Sequence, residues 1–177
     1  TVRAATTASF AHPGAPEVDV RELSMPGPDN NPVALRAYRP MGTAGAVLPV
    51  VVYFHGGGFI AGGLDSHDGT CRELTVAAGC AVVSVDYRLA PEQPFPAGLE
   101  DCAAAVRWVA AFAGDHGWDP DRVAIGGDSA GGNLAAAVAL VNRDRVGPAL
   151  VAQVLVYPVI DPACATRSLT ANATGYM

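Results

Sequence analysis

The stretch "VLPVVVYFHGGGF" (47–59) constrains this chain more than any other. Its Val/Tyr/Phe run offers no polar face, so a strand formed by it must be buried on both sides. That is the pattern of a parallel sheet covered by helices. "CAVVSVDYRLAP" (80–91) reads as a second buried strand, "RVAIGG" (122–127) as a third and "ALVAQVLVYPVI" (149–160) as a fourth. Helical stretches separate them. "SHDGTCRELTVAAG" (66–79) opens on an N-cap candidate, Ser66, and ends at Gly79. "AGLEDCAAAVRWVAAFAG" (97–114) is a helix stopped at Gly114, and "SAGGNLAAAVALVNR" (129–143) is another. This alternation predicts an α/β sheet with helices on both faces and right-handed crossovers. Ahead of it, "EVDVREL" (17–23) and "VALRAYRP" (33–40) alternate apolar and polar residues around the turn chemistry of "MPGPDNNP" (25–32). These two segments are expected to pair as an antiparallel hairpin. Residues 1–16 have no period and read as a loose lead-in; no repeat or linker divides 17–177.

Composition narrows the class. With 177 residues, 50% of them apolar and 16% charged, the chain suits one packed domain. The net charge of −6 and the lack of any basic run argue against nucleic acid as a partner. All 11 basic residues are arginine, a bias without a functional reading. Cysteines stand at 71, 80, 102 and 164 with no Cys/His ligand spacing, so no zinc site is expected. They read as thiols kept reduced, which places the chain in the cytoplasm. No apolar run reaches the roughly 18 residues of a membrane span. No signal peptide pattern is visible, and the start at Thr1 leaves room for a removed N-terminal piece.

Chemistry concentrates in "GGDSAGGN" (126–133). Gly127-Asp128-Ser129-Ala130-Gly131 fits G-x-S-x-G, with a strand before it and an apolar helix after it. That context makes Ser129 a candidate nucleophile rather than part of a plain glycine turn. Small residues at Gly127 and Gly131 would let strand and helix pass closely, and the helix start offers unpaired N–H groups. The second piece is His55-Gly56-Gly57-Gly58-Phe59, directly after a buried strand. Acyl transfer places negative charge on a carbonyl oxygen, and glycines let backbone N–H groups approach it. Gly57, Gly58 and Ala130 are the candidate oxyanion donors; the plainer alternative is a flexible strand-to-helix turn.

In this order, "HGGGF", "DYRLAPEQPFPA" (86–97) and "GDSAGGN" (127–133) resemble the bacterial esterases related to hormone-sensitive lipase. The resemblance runs over roughly 17–177. It implies an α/β-hydrolase core, a mostly parallel sheet with an N-terminal antiparallel hairpin. It implies a serine carboxylesterase acting on short acyl esters, with Ser129 as nucleophile, Gly56, Gly57, Gly58 and Ala130 as oxyanion hole, and no cofactor or metal. Residues 1–16 then read as a lead-in or a remnant of an N-terminal cap. Gly127, Asp128, Gly131 and His55 are expected to support the elbow and its loop, Asp128 as a brace rather than a triad acid. Arg88 is expected to clamp a neighbouring loop through hydrogen bonds, since its planar guanidinium suits such a role. Phe59 either lines the pocket or simply packs.

The triad order in such a fold is Ser, then Asp or Glu, then His. Here the histidines are 12, 55, 67 and 116, all before Ser129. The later carboxylates are Asp144, in a helix end, and Asp161, in an expected structural turn; no histidine follows either. His116 is expected at the far edge of the sheet, and His67 to be structural. The sequence therefore departs from the family's pattern. It reads as the N-terminal part of a hydrolase domain, incomplete at its C-terminal side and by itself inactive or nearly so. The remainder, expected as a separate chain, an unseen region or a piece lost to proteolysis, would be its main partner. A homodimer is a further option, because strand 149–160 would be an exposed edge with a long apolar face. The alternative function is a non-catalytic protein that binds a small ligand on the same scaffold.

Overall fold

A computed structural model of the protein describes residues 14–161, 163, 166–172 and 174. Most of the lead-in, His12 and Cys164 lie outside the described residues. The hairpin forms as expected. Strands β1 (Asp19–Pro26) and β2 (Pro32–Arg39) pair antiparallel from Asp19 opposite Arg39 to Pro26 opposite Pro32. Strand β2 then pairs antiparallel with β4 (Ala81–Val85). Strands β3 (Leu48–Phe54), β5 (Trp118–Asp128) and β6 (Ala152–Val156) continue in parallel with β4. The spatial order is β1-β2-β4-β3-β5-β6, which puts β3 at the centre and β6 at an edge.

Helices cover both faces because β3 has two apolar faces. Val50, Val52 and Phe54 join a core with Cys102, Val106 and Val109 of α2 (Ala97–Ala111) and Leu134, Ala135 and Val138 of α4 (Ala130–Asp144). Val51 and Tyr53 point to the opposite cluster, where Cys71 of α1 (Asp68–Ala78) packs with Tyr38, Val82 and Ala124. Each such fully buried aliphatic side chain contributes about 1.5–3 kcal/mol of burial free energy. Two short helices, α3 (Ala113–His116) and α5 (Arg167–Ala171), complete the described elements.

Several boundaries differ from expectation for local reasons. Ser66 does not cap α1; His67 is the N-cap, and the Ser66 hydroxyl donates instead to the Gly63 carbonyl at 2.8 Å. Helix α2 ends at Ala111 rather than Gly114, and the left-handed terminator is Gly117 at φ 70°. Strand β5 starts earlier, at Trp118. Strand β6 is much shorter than 149–160, because Tyr157 turns to φ 34° and Pro158 brings no N–H to the ladder. Its five residues are all exposed, and Val154, Leu155 and Val156 leave apolar surface on this edge. Among the described residues, no helix is long and apolar enough to cross a membrane.

Candidate active site

Ser129 links β5 to α4 with φ 52° and ψ −117°, a backbone region that non-glycine residues rarely adopt. Such a conformation costs about 1–3 kcal/mol and persists only where its surroundings enforce it. The surroundings do so here. The Ser129 N–H donates to the Val156 carbonyl at 2.9 Å, and its own carbonyl accepts from Asn133 N–H at 3.1 Å and Val159 N–H at 3.2 Å. The glycines on either side have no room for a side chain. A Cβ at Gly127 would stand 2.5 Å from the Gly131 carbonyl; one at Gly131 would overlap the Phe54 carbonyl and stand 2.6 Å from that of His55. The strand β3 backbone thus passes directly over the elbow.

The glycine loop follows β3 and lies beside this turn. Gly57 and Gly58 take φ 125° and 63°, and Phe59 after them is also left-handed at 66°. The Gly57 carbonyl is turned inward, accepting from Ala61 N–H at 2.9 Å and Ile60 N–H at 3.2 Å. Among the described residues, none accepts a hydrogen bond from the N–H of Gly57 or Gly58. The same holds for Ala130, whose N–H is one of the unpaired donors at the start of α4. Gly56 is different. Its N–H donates to Asp128 Oδ1 at 3.1 Å, with His67 Nε2 3.3 Å away. The expectation that Gly56 joins the donor set is corrected by that bond.

A buried polar cluster stands behind the loop. Asp128 accepts from the Tyr53 hydroxyl at 2.8 Å and lies 3.2 Å from His67 Nε2. Burial alone would raise its carboxyl, but His67, Tyr53 and the Gly56 N–H outweigh that and hold it below the usual carboxylate range. His67 Nδ1 meets the Ser66 hydroxyl oxygen at 2.8 Å. His55 is fully buried, stacked on Tyr87 with ring centroids 4.3 Å apart. Its Nδ1 faces the Gly56 carbonyl at 2.8 Å and, since a carbonyl only accepts, carries the proton. Burial pushes the ring down to about 4, so it is neutral at pH 7. The Tyr87 hydroxyl fastens the His55 carbonyl at 2.7 Å. Sequence reading missed Tyr53, whose signal was a lone hydroxyl on an otherwise apolar strand.

Arg88 does what its geometry suggested. Nε and Nη2 form a fork on Asp101 at 2.8 and 2.9 Å, and Nη1 reaches Asp29 in the β1–β2 turn at 2.8 Å. This clamp fixes one wall of a pocket of about 300 Å³, mostly apolar, between the glycine loop and α4. Phe59, Phe95, Leu99, Asn133 and Ala137 line it, so Phe59 faces the pocket. No histidine among the described residues hydrogen-bonds Ser129 Oγ. His116 stacks on Trp118 at 4.5 Å, at the opposite end of β5 from Ser129. Asp144 pairs with Arg143 at 2.8 Å, and Asp161 accepts from Ala163 N–H at 3.0 Å in a local turn.

A family model described as the alpha/beta hydrolase fold matches residues 51–177. Esterase LipI of Mycobacterium tuberculosis is 52% identical over 147 residues, covering 82% of this chain and 46% of LipI. Carboxylesterase NlhH of the same organism is 48% identical over 158 residues, covering 89% of this chain and 49% of NlhH. The chain therefore spans about half the length of the curated relatives it matches. Among solved structures, a serine-to-alanine variant of LAE6, an alpha/beta hydrolase enzyme from the metagenome of Lake Arreo in Spain, superposes with a TM-score of 0.91. It is 41% identical, and the match covers 99% of this chain and 55% of that one.

Proposed function

This chain belongs to the alpha/beta hydrolase fold family, in keeping with its resemblance to esterases related to hormone-sensitive lipase, and from that premise we propose that it carries the nucleophile half of a serine carboxylesterase. One observation supports this most. A serine held at φ 52° heads a helix beside a glycine loop, and the N–H groups of Gly57, Gly58 and Ala130 there have no protein acceptor among the described residues. In the proposed reaction Ser129 Oγ attacks the carbonyl carbon of a short-chain acyl ester as a base takes its proton. The carbonyl oxygen gains negative charge and is held by those N–H groups. Collapse expels the alcohol, which takes a proton, and leaves Ser129 acylated. Water then attacks the acyl-enzyme, releases the acid and restores the serine. The pocket beside Phe59 would receive one apolar part of the ester. Among the described residues no histidine bonds Ser129 Oγ, so the base of the proposed reaction is assigned to none of them.

The test supplies the base from solution. The chain is incubated with p-nitrophenyl acetate, with and without imidazole, and the acylated residue is located by peptide mass. The absence of lysine keeps background acetylation low. Acetyl-Ser129 that accumulates only with imidazole, and no acylation of that peptide in Ser129→Ala, is the expected result. A folded chain whose Ser129 stays unmodified while other hydroxyls react would overturn the proposal.

A further inference from the structure

The carboxylate of Asp128 is more than a brace for the turn that follows it. Three polar groups from separate parts of the chain converge on it. They are the Tyr53 hydroxyl from the centre strand at 2.8 Å, the Gly56 N–H from the glycine loop at 3.1 Å and His67 Nε2 from the start of α1 at 3.2 Å. The residue itself ends β5, one position before Ser129. It is therefore the one side chain that bonds to the glycine loop while sharing a peptide bond with the candidate nucleophile.

We infer that Asp128 is a positioning residue that helps set the aim of the glycine-loop N–H groups by holding the peptide plane that leads into Gly56, with Tyr53 and His67 holding its carboxylate in place. The inference rests on the function proposed above. Three features carry it. First, both peptide planes that meet at Gly56 are held: the one carrying its N–H by Asp128, and the one carrying its carbonyl and the Gly57 N–H by His55 Nδ1 at 2.8 Å. With both planes held, the torsions at Gly56 are fixed, so the direction of the Gly57 N–H is decided there. Second, the contact is close enough to require glycine, since a Cβ at Gly56 would collide with Asp128 Oδ2. Third, the Tyr53 hydroxyl and the Gly56 N–H both donate to Oδ1, so the job calls for an acceptor group. A carboxylate offers two acceptor oxygens; an asparagine amide would turn a donor toward one of the groups around it. His67 is itself anchored, through Ser66 Oγ, to the backbone of Gly63 at 2.8 and 3.0 Å, beyond the far end of the loop. The cluster thus closes a ring around the loop, from its first glycine to the residues that lead into α1.

The isosteric variant Asp128→Asn is the test, in two readouts on the 177-residue chain. The first is acetylation of Ser129 by p-nitrophenyl acetate with imidazole. Misaimed donors should slow the limiting acylation rate by roughly 10²-fold while the ester concentration for half-saturation stays near that of the parent. Tyr53→Phe, which removes one donor and keeps the carboxylate, should give a smaller loss. His67→Gln, which keeps a donor for Asp128, should retain more rate than His67→Ala. The second readout is the amide ¹H–¹⁵N resonances of Gly56, Gly57 and Gly58, which need no reaction. These should move together in Asp128→Asn and hold in a surface control such as Asp144→Asn. If the parent is never acylated, the function proposed above fails, and the resonances alone decide the positioning role. Unmoved Gly57 and Gly58 resonances, or a parental acylation rate in a folded Asp128→Asn, overturn the inference. If Asp128→Asn does not fold, Tyr53→Phe takes its place in both measurements, and unmoved resonances or a parental rate there overturn the inference equally.

Discussion

Replacing Arg88 by methionine should destabilise the fold strongly. The reason is the asymmetry of its ion pair. Asp101 has no solvent exposure, and it takes hydrogen bonds from Arg88 Nε at 2.8 Å, Nη2 at 2.9 Å and the Arg88 backbone N–H at 3.0 Å. Methionine keeps the volume and the backbone bond but leaves a buried carboxylate without its counter-charge, a change worth about 3–5 kcal/mol. For a chain of this size each kcal/mol moves the melting temperature by about 2–4 °C, so a fall on the order of 10 °C is expected. The reverse change, Asp101→Leu, should cost less, about 2 kcal/mol. Arg88 then still pairs with Asp29 at 2.8 Å, and its side chain is 18% exposed. With both changes together no buried charge is stranded, so the double variant should be more stable than Arg88→Met alone. Urea denaturation of the four proteins gives the coupling energy directly. A loss below about 1 kcal/mol for Arg88→Met, or strictly additive losses, would refute this account of the clamp.

Three further outcomes are expected. Ser129→Gly should be as stable as the parent or more so by up to about 2 kcal/mol, because relief of the left-handed strain exceeds the entropy glycine adds to the unfolded chain; denaturation midpoints decide it, and a clear loss would mean that Ser129 is unstrained. Gly131→Ala should cost more than about 3 kcal/mol, since its Cβ would overlap the Phe54 carbonyl, a backbone atom of the centre strand that has no rotamer to yield; urea midpoints measure it, and a near-parental value would mean that the strand can move aside. The His55 ring takes up a proton near pH 6.5 when unfolded but only near 4 when folded. Its contribution is therefore full above pH 6.5 and lost as pH falls toward 4, by about 1.4 kcal/mol per pH unit. A pH titration of stability should show this loss in the parent beyond whatever His55→Gln shows, and identical slopes for the two would contradict it.

The sheet was legible because burial on two faces leaves a mark that few other structures leave. The runs around Val50, Val83 and Ile125 have no polar face, and these residues are fully buried in the structure. The elbow was legible for a similar reason: the glycines at 127 and 131 stand where only a missing side chain lets β3 cross. Boundaries were less so. Ser66 has the chemistry of a cap, but its hydroxyl is used by Gly63, three residues back. No local pattern reveals that competition. The length of β6 depended on one unusual dihedral at Tyr157, a position with no glycine to signal it. Which glycine N–H groups stay open was not legible, since the glycines at 56, 57 and 58 look alike in sequence. Only the carboxylate of Asp128, 72 residues away, tells the first from the others. Tyr53 and His67 were missed as its partners for the same reason: each of their contacts joins parts of the chain that come together only after the sheet has formed.

Ser129 is fastened to the outermost strand. Its N–H holds Val156, its carbonyl is held by Val159, and Asn133 Nδ2 adds a bond to the Val159 carbonyl at 2.6 Å. Among the described residues, strand β6 meets the sheet along one side only, through five residue pairs with β5, whereas β5 is held on both sides. Any force that draws on the polypeptide after Val159 therefore reaches the serine before it reaches the core. Peeling β6 away would remove the anchors that keep Ser129 at its strained dihedral while the other five strands stay joined. The elbow then behaves as a latch sprung from the rim of the sheet, and its tension is the first thing the fold gives up when that rim is pulled.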